Sequence, residues 1–137
     1  MSESTVVYYS PREEIANAVT HGFATIASIA GLVLLIAFAL KFSGDTVLVT
    51  SVTIFGASMI LLYLASTLYH AISHPQAKQV LQLLDHAMIF VLIAGSYTPF
   101  CLVTLEGIVG YVLCAAVWAI AIIGVTMQSF LLKKSDW

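Results

Sequence analysis

The sequence predicts an all-α integral membrane fold of four antiparallel transmembrane helices, and three observations carry that prediction. Of 137 residues only 12 are Asp, Glu, Lys or Arg, whereas 61% are hydrophobic and the mean hydropathy is +1.02. A soluble domain carries about 25% charged and about 45–50% apolar residues. Second, the charges leave four uninterrupted runs, 15–40, 46–77, 86–105 and 107–132, of 26, 32, 20 and 26 residues. A helix needs about 20 apolar residues to cross the hydrocarbon core. Third, stretches such as GLVLLIAFAL at 31–40 are apolar on every face. Barrel strands would alternate strictly with period two, so helices satisfy the backbone here. The same composition excludes disorder, which needs low hydrophobicity and high charge. A formal charge of -2 supplies no basic surface for nucleic acid.

The helices are expected at about 20–41, 47–71, 81–104 and 108–132. Gly44-Asp45 and His74-Pro75 are chain breakers between the first three. All three connections are short, which makes neighbouring helices antiparallel. Residues 1–19 read as a cytoplasmic N-terminal segment and 20–137 as one transmembrane domain. Glu3, Glu13 and Glu14 sit where a cleavable leader would be basic and then apolar, so no such leader is expected. Pro99 lies deep in the third helix and predicts a kink near Thr98. Ala94, Gly95 and Ser96, together with Gly31, Gly56, Ala57 and Gly110, allow helices to approach closely. Cys101 and Cys114 fall inside apolar segments and read as packing residues rather than a disulfide framework. Trp118 reads as a core or lipid-facing side chain.

Orientation follows from the cations. Arg12, Lys78, Lys133 and Lys134 fall on the side of the N-terminus, and only Lys41 falls on the other. The positive-inside rule then gives a cytoplasmic N-terminus. Glu14, Asn17 and His21 precede or open the first helix, Ser66 and His70 close the second, and Asp85 and His86 begin the third. Alternating direction puts all of these at one depth, just inside the cytoplasmic interface. The far side offers only Lys41, Asp45 and Glu106, all in loops.

Ionisable groups inside a membrane are costly and each is a functional hypothesis. Histidine nitrogens with a carboxylate suit zinc and similar divalent metals. Ser66, one turn from His70, could hold water or substrate, and Asp85 could act as a general base or orient a ligand histidine. Plainer roles are open to each residue. Tyr69-His70 could be an interfacial anchor, Asp85 a cap for the third helix, and Glu13-Glu14 a favourable first turn. Ser66 could bond back to a carbonyl of its own helix. His86 reads as packing or anchor, and His74 as a solvated loop residue.

Four blocks carry a family resemblance: EEIANAVTHG at 13–22, SMILLYLASTLYH at 58–70, LDHAMIF at 84–90 and AGSYTPF at 94–100. In order and spacing they resemble the bacterial hemolysin III family, which belongs with the progestin and adipoQ receptors and, more distantly, the alkaline ceramidases. The resemblance runs from about residue 10 to the end. It implies a seven-helix membrane protein of which these would be the first four helices. It also implies a zinc ion near the cytoplasmic face, held by the histidine of a Ser-x-x-x-His motif on helix 2 and by two histidines of a His-x-x-x-His motif on helix 7. His70 matches the helix-2 ligand and Ser66 the serine of that motif. Asp85 matches the helix-3 aspartate, expected to hold the water on the zinc. No His-x-x-x-His occurs in these 137 residues. The basic stretch near Lys133 resembles a loop before a fifth helix, so a fragment of a longer protein is expected, with an incomplete ligand set. His21 or His86 could stand in for a missing ligand.

Three functions follow from this reading. One is a multi-pass plasma-membrane protein that contacts membrane lipids and maintains the state of the bilayer, with zinc as a structural group. The second is a zinc-dependent hydrolase of membrane-lipid amides or esters. The third is a pore-forming cytolysin, as the family name suggests; no polar stripe in these helices points to a water-filled lumen.

Overall fold

The computed structural model describes residues 9–135, with side chains up to residue 130. Of the charges counted above, Glu3, Asp136 and the side chains of Lys133 and Lys134 lie outside the described residues. Four long helices and one π-helical segment make up the fold, with no strand among the described residues: α1 at Pro11–Phe42, α2 at Thr46–Ala71, α3 at Pro75–Pro99, the π segment at Phe100–Leu105, and α4 at Gly107–Ser135. All four are long and apolar enough to cross a membrane.

Two helices begin earlier than their charges suggested. The start of α1 lies at Pro11 rather than about 20, so the expected extramembrane segment 1–19 is helical from residue 11. The cause is a reciprocal cap: the Glu13 amide donates to Ser10 Oγ at 3.4 Å while the Ser10 amide donates to Glu13 Oε2 at 2.8 Å. Pro11 occupies the first helical position, where its missing N–H costs nothing. Likewise α3 begins at Pro75 rather than about 81, which draws Lys78 out of the expected loop and into a helix. Between α1 and α2, Asp45 caps the second helix by accepting the Leu48 amide at 2.8 Å.

Where a kink is expected near Thr98, the structure shows a change of helix type just after Pro99. Regular α geometry ends at Pro99 and the backbone widens to π spacing through Leu105. A proline nitrogen cannot donate to the carbonyl four residues back, here that of Gly95. Glu106 closes the segment at φ 48°, a left-handed backbone that few L residues adopt.

Neighbouring helices run antiparallel: His21 on α1 meets Ser66 on α2, while Leu32 farther along α1 meets Gly56 farther back along α2. Helices pack on their chain neighbours, α1 on α2, α2 on α3 and α3 on α4, so among the described residues they form an open row. Most of the residues between them are small: Ala39, Ala65, Ala87, Ala94, Cys101 and Ala121 are buried, as are Ser28, Ser51, Ser58 and Ser66, while Tyr69 is the largest side chain fully buried. Large apolar side chains such as Phe23, Val33, Ile122 and Phe130 point outward. This inverts the soluble pattern. Lipid rewards apolar surface outside, and close backbone approach does the packing inside. At Gly95 an added Cβ would run into Ser58, and at Gly56 it would lie 2.5 Å from Leu32 Cδ1. The buried hydroxyls of Ser28, Ser51 and Thr98 return to carbonyls of their own helix at 2.6–2.8 Å. Trp118 reaches from α4 to donate to Thr98 Oγ1 at 3.1 Å, so its ring does serve the helix packing. No buried side-chain nitrogen or oxygen lacks a partner among the described residues. Cys101 and Cys114 are free thiols.

Candidate functional site

The polar residues gather where the start of α1, the end of α2 and the start of α3 meet. On α1, Glu14 and His21 are two turns apart and share a face. On α2, Ser66 and His70 are one turn apart, and both are buried. The two pairs match across the helix contact. His21 Nδ1 lies 2.6 Å from Ser66 Oγ, and His70 Nδ1 lies 2.6 Å from Glu14 Oε2. The two imidazoles stand edge to face, with centroids 5.9 Å apart.

From α3, Lys78 completes the cluster. Its ammonium lies 2.7 Å from Glu14 Oε1 and donates to the Tyr69 carbonyl at 3.0 Å. It also sits over the Tyr69 ring, 4.7 Å from the centroid. Lys78 is only 6% exposed and His70 only 8%. One carboxylate therefore serves two cationic or donor groups, one on each of its oxygens. An ionised carboxylate only accepts hydrogen bonds, so His70 Nδ1 carries a proton and Nε2 lies outside the Glu14 bond.

Sequence and structure agree in part on the membership. Ser66 and His70 come together with His21 and Glu14 as their shared depth predicts. Asp85 is half-buried on α3, two turns beyond Lys78, and within electrostatic reach of the Tyr69 hydroxyl. The residue on His70 Nδ1 is Glu14, however, rather than Asp85. His86 faces away: it is exposed and its Nδ1 is bonded to its own Gln82 carbonyl at 2.7 Å. His74 is exposed at the start of α3. Lys78 was the residue missed. By charge alone it marks a loop, and the signal that places it in a helix is Pro75, a helix-opening residue three positions earlier.

A cavity of about 430 Å³ opens beside the cluster, lined by Tyr9, Glu14, Ile15, His70, Ser73 and Lys78. The opposite end of the row is different in kind. Asp45 and Glu106 line a second cavity there, but the Asp45 carboxylate is occupied as a helix cap.

Fold and site together define a polytopic helical membrane protein with a buried polar centre toward one end of its spans. The chain belongs to the haemolysin III family: the model of that family, described as Haemolysin-III related, matches residues 9–137. The hemolysin-3 homolog of Bacillus subtilis is 48% identical over 126 residues, covering 92% of this chain and 59% of that protein. Hemolysin-3 of Bacillus cereus is 47% identical over 123 residues, covering 90% of this chain and 56% of the relative. The chain thus spans little more than half the length of these relatives. No solved structure gives a significant match.

Proposed function

We propose that these helices form one wall of a zinc centre at the cytoplasmic edge of the plasma membrane, in a multi-pass protein that maintains the state of the bilayer. The observation that supports this most is the buried His70, held at Nδ1 by Glu14 at 2.6 Å, which leaves Nε2 as the nitrogen a metal would take. A ligand histidine whose second nitrogen donates to a carboxylate is the usual arrangement around zinc. The fit is partial by itself. No group of three or more His, Cys, Asp or Glu gathers at metal-holding spacing among the described residues. The remaining ligands are therefore assigned to helices outside this chain, as the resemblance implies. The cytoplasmic placement rests on the cation count, with Arg12, Lys78, Lys133 and Lys134 on this side against Lys41 on the other.

The test uses the complete protein as the cell makes it, purified in detergent. Zinc should copurify at about one ion per chain, as a single mononuclear site requires. Both His70→Ala and a chelator should lower the melting temperature. A zinc-free wild type, or melting unmoved by either treatment, would overturn the reading.

A hydrolase acting on membrane-lipid amides or esters is the second reading, and the Ser66–His21 pair favours it. When bound, zinc would polarise a substrate carbonyl. Ser66, oriented by His21, would hydrogen-bond the carbonyl oxygen, and Asp85 would take a proton from attacking water. Fatty-acid release from lipid amides should then vanish in Ser66→Ala as well as His70→Ala; no release by the zinc-loaded wild type would end it. Lysis is suggested by the relatives' printed names alone. The outward faces of α1 and α4 are apolar, which suits lipid contact rather than a lumen.

A further inference from the structure

We infer that Glu14 is the positioning residue for the His70 ligand, and that Lys78 fixes the carboxylate in place for that task. This rests on the zinc reading above. Helix α1 does not need Glu14 for its own start, because Glu13 already completes the cap with Ser10. In the first turn a carboxylate is well served by water and the helix dipole. Glu14 turns inward instead and spends both oxygens on other helices. Oε2 takes the His70 Nδ1 proton at 2.6 Å, and Oε1 takes Lys78 Nζ at 2.7 Å.

The consequence is geometric. A carboxylate held at one oxygen can still swing; held at both, its plane is set, and with it the ring it bonds. The tautomer is set as well, since only Nδ1–H can donate to Glu14. The His70 ring is thereby held in one orientation, with Nε2 outside the Glu14 bond. Such outer partners typically contribute 10–100-fold to metal affinity. The arrangement also joins three helices at one point. Helices α1 and α3 each pack on α2 and not on each other, yet the Lys78 side chain reaches Glu14 at the end of α2. The aim of the α2 ligand therefore depends on the placement of α1. The adjoining 430 Å³ cavity, lined by Glu14, His70 and Lys78, gives an ion or a chelator access to the cluster.

An ion pair with a purely structural role would lower stability without touching metal affinity, so the two must be read separately. In the complete protein, zinc affinity is measured by competition with a chromophoric chelator, and melting is measured on the zinc-free form. Glu14→Ala should weaken zinc binding by about 10–100-fold. Glu14→Gln keeps one acceptor for Nδ1–H, so it should recover part of that loss, leaving binding about tenfold weaker than wild type. It also decides the matter if Glu14→Ala does not fold. Cobalt substituted for zinc should show a displaced ligand-field absorption in Glu14→Gln. Affinities within about twofold of wild type for the Glu14 variants, with His70→Ala losing zinc, would overturn the inference and leave the zinc reading standing. A wild type that holds no zinc would overturn both.

Discussion

Replacing Lys78 with methionine isolates the energetics of the Glu14 cluster. Methionine keeps most of the length of the side chain and removes the ammonium. Lost with it are the charge-assisted bond to Glu14 at 2.7 Å, the bond to the Tyr69 carbonyl at 3.0 Å and the contact with the Tyr69 ring. Charge-assisted hydrogen bonds contribute about 1.5–3 kcal/mol and neutral ones about 1. Removing one member of a buried pair costs about 3–5 kcal/mol, because the other charge is left uncompensated. Glu14 retains 17% side-chain exposure and keeps His70 on its other oxygen, which places the expected loss at the low end, about 3 kcal/mol. The assay is reversible unfolding in mixed micelles titrated with sodium dodecyl sulfate. Adding Glu14→Gln removes the orphaned charge, so the double variant should be more stable than the two single losses predict, by about 2 kcal/mol. Additivity within about 0.5 kcal/mol, or a Lys78→Met loss below about 1 kcal/mol, would refute the buried-pair argument.

Two further predictions concern the packing. Gly95→Ala places a methyl group against Ser58, and relief by local shifts should cost about 1–3 kcal/mol in the same unfolding assay. Ser58→Gly in the same chain should recover most of that loss, and no recovery would show that the clash lies elsewhere. Glu106 holds φ 48° and ψ 172°, so Glu106→Gly should stabilise by about 1 kcal/mol after the entropy of glycine is subtracted. A lower melting temperature in that variant would count against backbone strain at this turn.

The spans were legible because lipid imposes one strong constraint, which charge-free runs of 20 residues or more express directly. Their starts were less so. By charge alone Glu13 and Lys78 mark chain outside the helices, but the capping box and Pro75 carry each helix past its charge. The site was legible as a depth. Helix direction alone puts Glu14, His21, Ser66, His70 and Asp85 at one end, and the family blocks point to the same residues. Partnership was not legible in that way. Glu14 and Asp85 are both carboxylates within reach of that depth, and no spacing along the chain says which one meets His70 Nδ1.

By itself, then, the sequence determined the class, the number of spans, their alternation and the end at which the polar residues collect. These depend on hydropathy and on short connections, which are local properties of the chain. Only the tertiary structure decided that Glu14 bridges His70 and Lys78 and that His21 meets Ser66. Those contacts join residues 45 and 56 positions apart for the two histidine pairs. They depend on the rotation of each helix about its own axis, set by where Gly56 and Gly95 let neighbouring backbones come close.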